Sequence, residues 1–168
     1  MLMICGMYQL FGQSFVTVEG QRVPGLGILD ATTQGNAVRM IGPVVLSTQF
    51  GDVVGYENHS GVTRLGPAQT PLGTVVKGAG NNGEDGTEGA RVHHVVGSYL
   101  HGSMLPKNPA VADHLIRAAV ERSGGAGARH VGLAHLNPRR RRLLDTTHTE
   151  LTAMAALRAG AGAGGETA

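Results

Sequence analysis

One cysteine, no tryptophan and few aromatic residues characterise this chain of 168 residues. A single cysteine excludes an internal disulfide and any cysteine-rich zinc site. With aromatic residues at 4%, the core depends on Val, Leu, Ile, Met and Ala. The chain has no apolar run near the roughly 18 residues of a transmembrane helix, and its start lacks the segments of a signal peptide. We therefore expect no membrane span and a cytoplasmic protein, whose free thiol suits a reducing compartment.

A strong excess of charge is also missing. The formal net charge is only +2, from 14 basic and 12 acidic side chains. Much of the basic charge lies in one block, Arg139–Arg142. Because a nucleic-acid site needs basic residues over a wider surface, we expect no nucleic-acid binding and interpret this block as a solvated surface or a partner contact.

The remaining composition is typical of a globular α/β protein. The length suits one domain, and 27 glycines indicate many turns and loops. Strand-like and helix-like patterns alternate, which favours a mixed-sheet α/β domain over residues 1–159, followed by a disordered Gly/Ala-rich tail at 160–168. The predicted strands are 1–4, 44–48, 53–57, 74–76 and 92–100, the predicted loops are 16–33 and 78–89, and the predicted helices are 7–15, 109–122 and 150–159.

The clearest predicted helix begins at Asn108 and Pro109, since asparagine suits the N-cap and proline the first helical position. Val111, Leu115 and Ala118 follow at helical spacing and share one face. The pattern therefore predicts an amphipathic helix.

Cys5 lies between a short apolar run and a stretch compatible with a helix, and Gly6 follows it directly. This order predicts a nucleophile on a tight turn from strand to helix, where the helix N-terminus stabilises a thiolate. The backbone N–H of Gly6 would point at the oxyanion formed on the attacked carbon. A second apolar stretch ends at His101, whose imidazole could activate the thiol. The alternative is that Cys5 is a small buried residue and His101 a structural histidine.

Five runs of residues, in this order along the chain, resemble the class I glutamine amidotransferase family in its cobyric-acid-synthase-like branch. Within that branch, the likeness is greatest to the amidotransferase subunits of lipid II isoglutaminyl synthases, and it covers residues 1 to about 122. The resemblance implies a flavodoxin-like, three-layer α/β fold. The runs are Cys5–Gly12, Gly25–Asp30, Gly55–Gly61, Gly97–Gly102 and Met104–Pro109.

The resemblance also implies a glutaminase mechanism. Cys5 would attack the side-chain amide of L-glutamine to give a thioester and ammonia, and His101 would protonate the ammonia and then activate water. Ammonia would pass to a Mur-ligase-like synthase subunit, in a heterodimer, that amidates the D-glutamate α-carboxyl of lipid II in peptidoglycan biosynthesis. The ATP and Mg²⁺ would belong to that partner, so we expect no cofactor and no metal on this chain.

Two further residues match substrate-binding positions of the family. Arg39 would hold the α-carboxylate of glutamine through its guanidinium, and Gln9 would contact the same substrate. The alternatives are a surface arginine and a core or helix-capping glutamine. Glu57, Asn58 and His59 could line the cleft, with no role assigned, and a structural hydrogen bond is the simpler role for His59.

The chain departs from the family pattern at two places. Ser103 stands where triad amidotransferases carry a glutamate, so a Cys–His dyad is expected. Family members also carry a stretch before the nucleophile strand, which implies a domain lacking its first strands, as in an N-terminally truncated protein. Two alternatives stay open: an ammonia donor for another ligase, such as a corrinoid amidase, or a catalytically inactive fragment that docks on a partner.

Overall fold

The computed structural model describes residues 1–122, which fall in two compact units, Met1–Gly102 and a second that begins at Ser103. Strands dominate the first unit, and two helices lie in the described part of the second. Mixed sheets combined with helices confirm the predicted α/β class. The elements are β1 (Leu2–Ile4), α1 (Gly6–Leu10), β2 (Ser14–Val16), β3 (Arg22–Pro24), β4 (Ala31–Thr48), β5 (Gly51–Leu65), β6 (Gly73–Lys77), β7 (Thr87–Glu88), β8 (Ala90–Val92), β9 (Val95–Ser98), β10 (Leu100–His101), α2 (Met104–Lys107) and α3 (Pro109–Arg122).

The strands of the first unit form two sheets. The smaller sheet has the order β1-β9-β8, with β1 parallel to β9. The larger sheet has the order β10-β5-β4-β2-β3, and β6 and β7 extend it from β4. Because β9 and β10 are almost continuous in sequence, the chain passes from the smaller sheet to the larger one just before His101. This crossing brings the end of the parallel pair next to the long strands.

A long antiparallel hairpin of β4 and β5 organises the larger sheet. The predicted hairpin of 44–48 and 53–57 is confirmed, but both strands continue well beyond those limits. The extension lacks an apolar alternation, because the buried face of β5 carries the polar residues Glu57, His59 and Thr63. A polar inner face of this kind is unusual for a structural strand and points to a site.

The core of the first unit lies around two tyrosines. Tyr8 of α1 and Tyr99 meet edge to face, with ring centroids 5.2 Å apart. Both rings are fully buried, together with Met3 of β1 and Leu29. Gly97 makes this contact possible, because a Cβ on that residue would overlap the Tyr8 ring. The core is therefore built directly beneath the turn that carries Cys5.

Two predictions for the first thirty residues need correction. The helix predicted at 7–15 ends at Leu10, because the chain turns at Gly12, where the Ala31 carbonyl leaves no room for a Cβ. The segment 16–33, predicted as a loop, contains β3 and the start of β4. β3 has only three residues, which are too few to show a period-2 pattern.

The strand predicted at 92–100 is three strands. β8 and β9 form a hairpin with Val92 opposite Val95, and the turn holds His93 at a φ of 49°. Tyr99 separates β9 from β10. Its backbone N–H donates to the Glu88 carboxylate and not to a carbonyl of a neighbouring strand. The predicted strand 74–76 and the loop 78–89 match β6 and the segment that follows it, apart from the short β7.

The second unit is described only through α2 and α3. Helix α3 begins at Pro109 as predicted, and Val111 and Ala118 on its predicted apolar face are buried. The predicted helix 150–159, the predicted tail 160–168 and the block Arg139–Arg142 lie outside the described residues, so the extent of the predicted domain stays a prediction. Within residues 1–122, no helix is both long enough and apolar enough to cross a membrane.

Candidate active site

Cys5 occupies a strained turn between β1 and α1. Its backbone has φ 56° and ψ −113°, a conformation that favours glycine and costs a cysteine about 1–3 kcal/mol. The turn is fixed on both sides, since the Cys5 N–H donates to the Ser98 carbonyl at 2.9 Å and the Gln9 N–H donates to the Cys5 carbonyl at 3.1 Å. The sharp strand-to-helix turn predicted from the sequence is therefore present, and strain at a cysteine indicates a functional constraint.

Space is left open beside the cysteine. Gly6 is the first residue of α1, and a Cβ built on it would meet no atom within 4 Å. The Cys5 side chain is only partly buried. A substrate could therefore approach the sulfur at the predicted oxyanion position.

His101 lies shortly after β9, the strand that pairs with β1. Ile4 lies opposite Ser98 in the parallel β1–β9 pair, and His101 comes three residues after Ser98. The carboxyl ends of parallel strands meet at one edge of a sheet, so the ends of these two segments bring Cys5 and His101 to the same region. The pairing of the Cys5 thiol with the His101 imidazole itself stays a prediction.

The surroundings of the His101 imidazole favour its neutral form. Burial lowers the pKa of His101 below its usual range, and the neighbouring His59 and the Arg39 guanidinium lower it further. Its Nε2 atom is buried and has no hydrogen-bond partner among the described residues. A neutral ring with one free nitrogen is the form that a proton acceptor needs.

Arg39 and His101 lie on the same face of the larger sheet. In β10, His101 is opposite Tyr56 of β5, and Asn58 lies two residues farther along β5, on the Tyr56 face. Asn58 is in turn opposite Ile41 of β4, and Arg39, two residues before Ile41, donates hydrogen bonds to the Asn58 side chain. Arg39, Asn58 and the region of His101 therefore line one surface.

The Arg39 guanidinium is held by Asn58. Nε and Nη2 donate to Asn58 Oδ1 at 3.2 and 2.7 Å, and Nη2 also donates to the Asn58 carbonyl at 3.2 Å. Both side chains are exposed. The predicted binding residue is therefore held in one orientation by Asn58, a contact that no local sequence pattern indicates.

Tyr99 links Cys5 to the polar face of β5. Its hydroxyl accepts a hydrogen bond from Gln9 Nε2 at 3.1 Å and shares a second hydrogen bond with Thr63 Oγ1, 2.6 Å away. Burial raises the pKa of Tyr99, and the Cys5 sulfur lies near enough to contribute. Gln9 thus faces the site, but its described side-chain contact is with Tyr99.

Glu57 and His59 form a buried pair on the same strand. His59 Nδ1 donates to the Gly61 carbonyl at 2.9 Å, while His59 Nε2 lies 3.8 Å from Glu57 Oε2. Glu57 also accepts hydrogen bonds from the amides of Ala79 and Gly80, at 2.8 and 2.9 Å. Burial alone would raise the pKa of Glu57, but these partners outweigh it and hold the pKa below the usual range.

A second buried carboxyl, Glu88, sits behind the site. It accepts the Tyr99 N–H at 2.7 Å and the Ser98 hydroxyl at 3.2 and 3.3 Å. Burial raises the pKa of Glu88 to about 7. Through these hydrogen bonds, Glu88 holds the backbone between β9 and His101 in place.

Sequence reasoning missed the roles of Tyr99, Asn58 and Glu88. Tyr99 could have been found, since it lies two residues before His101 in the Gly97–Gly102 run. Asn58 and Glu88 act across strands, so their partners depend on a register that the sequence does not show. Within residues 1–122, no group of His, Cys, Asp or Glu side chains is arranged to hold a metal ion.

Comparison with known proteins gives one domain family and several relatives. Residues 1–109 match the CobB/CobQ-like glutamine amidotransferase domain. The chain is 44% identical over 124 residues to the lipid II isoglutaminyl synthase (glutamine-hydrolyzing) subunit GatD of Staphylococcus aureus, an alignment that covers 73% of this chain and 50% of that protein. It is 40% identical over 127 residues to the same subunit of Streptococcus pneumoniae, covering 74% and 49%.

More distant relatives carry another name. The cobyric acid synthase of Limosilactobacillus reuteri is 36% identical over 123 residues, covering 67% of this chain and 23% of that protein. The chain spans about half the length of the two GatD relatives.

Proposed function

The chain belongs to the CobB/CobQ-like glutamine amidotransferase family, and from this premise we propose that it hydrolyses L-glutamine to glutamate and ammonia with Cys5 and His101. The observation that carries the proposal is the Cys5 turn. A cysteine held at φ 56° at the head of a helix, and bonded to the strand that leads to His101, has the geometry of an activated nucleophile. If Cys5 were only a small core residue, neither its strained backbone nor its partial exposure would be explained.

The chemistry begins with proton transfer from the Cys5 thiol to the neutral His101. The thiolate attacks the side-chain carbonyl carbon of glutamine, and the backbone N–H of Gly6 stabilises the resulting oxyanion. The imidazolium then returns the proton to the amide nitrogen, the carbon–nitrogen bond breaks, and ammonia leaves a thioester on Cys5. His101 next removes a proton from water, which attacks the thioester and releases glutamate and the thiol.

Substrate binding falls to Arg39 and Gln9. The Arg39 guanidinium would pair with the α-carboxylate of glutamine, on the face that also leads to His101. Gln9, one turn along α1 from Cys5, would contact the substrate from the other side. The Cys–His pair is proposed as a dyad, and Glu57 and His59 have no direct role in this scheme.

We further propose that the ammonia is used by a separate subunit in the cytoplasm. The two GatD relatives are named as subunits of lipid II isoglutaminyl synthase. A Mur-ligase-like partner, in a heterodimer with this chain, would bind ATP and Mg²⁺ and amidate the D-glutamate α-carboxyl of lipid II. This chain would then need no cofactor of its own.

A second acceptor is favoured by one comparison. The likeness to cobyric acid synthase supports a chain that supplies ammonia for corrinoid amidation. The chemistry at Cys5 would be the same, so only the acceptor distinguishes the two.

Glutamate release from L-glutamine, measured with and without the candidate ligase subunit, tests the proposal. Cys5→Ala and His101→Asn should each reduce turnover by at least about 10³-fold, as loss of a dyad member does in related nucleophilic enzymes. His93→Asn is the matched control, since His93 is exposed and its positive φ suits asparagine. Turnover that survives Cys5→Ala would refute the mechanism, and a chain inactive with every ligase would favour the inactive docking fragment.

The acceptor is tested in the same assay. With the ligase and ATP present, nitrogen from amide-labelled glutamine should appear in lipid II. Label in a corrinoid acid instead would assign the second acceptor.

A further inference from the structure

Arg39 is presented by an irregularity in the long hairpin. The pairing of β4 with β5 is regular up to Gly35 opposite Gly61, then resumes with Met40 opposite His59. Four residues of β4, ending at Arg39, therefore stand against the single residue Ser60. Such a bulge re-aims the side chains at its ends.

Asn58 accepts hydrogen bonds from the Nε and Nη2 edge of the Arg39 guanidinium and does not contact Nη1. The three hydrogen bonds to Asn58 use Nε–H and both N–H groups of Nη2. The two N–H groups of Nη1 have no acceptor among the described residues. A guanidinium held along one edge keeps a fixed orientation for an anion at the other end.

The side chain that holds Arg39, the amide of Asn58, carries no charge. Arg64, an exposed arginine of β5, instead pairs with the Glu84 carboxylate at 2.7 Å. In residues 1–122, no carboxylate forms an ion pair with Arg39. The hydrogen-bonding edge is therefore satisfied without neutralising the positive charge.

We propose that Asn58 is a positioning residue that orients Arg39 while leaving its charge available to the α-carboxylate of glutamine. The inference rests on the proposed function of Arg39 as the carboxylate-binding residue. An aspartate would make the same hydrogen bonds, but its charge would compete with the substrate carboxylate. An alanine would leave the charge in place and release the guanidinium.

Two substitutions separate this role from a structural one. Asn58→Ala should weaken glutamine binding about tenfold, the equivalent of roughly 1.4 kcal/mol. Asn58→Asp should weaken it at least as much, although it keeps the hydrogen bonds. If Asn58 only supported the hairpin, Asn58→Asp would bind glutamine like the parent protein, and that result would overturn the proposal.

Binding is measured by titration calorimetry in the Cys5→Ala chain, so that no turnover intervenes. Asn36→Ala is the matched control, because Asn36 is exposed in the same bulge and bonds to the Val38 amide instead of Arg39. In the Cys5-containing chain, the same Asn58 substitutions should raise KM and leave kcat within about twofold, as expected for lost uniform binding. Asn58→Ala should add little to Arg39→Ala, since both remove one interaction.

The outcomes distinguish the two proposals. Cys5-dependent hydrolysis with glutamine affinity unchanged in Asn58→Asp would refute the role of Asn58 alone. Failure of the Cys5→Ala chain to bind glutamine, together with failure of the parent chain to release glutamate, would refute the proposed function and this inference with it. Circular dichroism melts of both variants check that the fold is retained, and Asn58→Asp carries the test if Asn58→Ala unfolds.

Discussion

His59 and Tyr99 stack face to face, with ring centroids 3.6 Å apart and planes only 3° from parallel. One ring belongs to the polar face of β5, and the other belongs to the segment that joins Ser98 to His101. The stack therefore fixes the position of the candidate base against the long hairpin. It acts together with the hydrogen bonds from the Ser98 hydroxyl of β9 to the Glu88 carboxylate of β7, which join side chains of the two sheets.

Tyr99→Phe should keep the stack and lose the hydroxyl. Thr63 and Gln9 would each lose a partner in a buried or partly buried place, so the free energy of unfolding should fall by about 1–3 kcal/mol. Urea denaturation measures the change. Tyr56→Phe is the control, since Tyr56 is 42% exposed, and its effect should stay within about 0.5 kcal/mol. Equal effects of the two substitutions would contradict a role for the Tyr99 hydroxyl.

Cys5→Gly should give a more stable protein than Cys5→Ala. Glycine adopts the Cys5 backbone angles without steric cost, whereas alanine retains the strain, so we expect a difference of about 1 kcal/mol. Both variants should lack glutaminase activity. Thermal melts of the pair measure the stored strain directly, and a more stable alanine variant would show that the turn is not strained.

The titration of His101 should respond to Arg39. Since the guanidinium charge lowers the pKa of His101, Arg39→Gln should raise it, although burial would still keep it below the usual range. The imidazole would then be protonated at a higher pH, and the acid limb of kcat/KM should move upward with it. NMR titration of the ring checks the shift without substrate. Arg22→Gln, at an exposed arginine of β3, is the control and should leave the titration unchanged.

Glu88 should make the protein less stable as the pH rises through the weakly acidic range. Its folded pKa of about 7 lies above the ordinary glutamate value of 4.5, so the folded state binds more protons than the unfolded state between these limits. Stability should therefore be greatest near the lower limit and fall by up to about 1.4 kcal/mol per pH unit. Glu88→Gln should flatten this slope in melts recorded from pH 5 to about 7. A slope that survives the substitution would assign it to another group.

The sequence predicted the local structure at Cys5 and His101 better than the scaffold around them. Cys5 followed by Gly6, and a strand ending near His101, are local patterns that the structure places as expected. The parallel pairing that brings their strands together is a long-range contact, but it agrees with the alternation predicted for an α/β domain.

The missed features depend on register and on buried polar groups. The bulge that presents Arg39 to Asn58 shifts the pairing of two strands, and no local pattern in either strand marks it. Glu57 and His59 lie inward on β5, where hydrophobic periodicity predicts apolar residues. Such departures from the simple pattern are expected where a strand contributes to a site.

The pairing of β1 with β9 has a consequence for synthesis of the chain. β4 and β5 are neighbours in sequence, so the hairpin with Arg39 and Asn58 closes a short loop. β1 pairs only with β9 among the described strands, and Cys5 is anchored by Ser98. During translation, the hydrogen bond that anchors Cys5 to Ser98 can form only after the segment 95–98 has left the ribosome, so the turn that carries the candidate nucleophile is completed late.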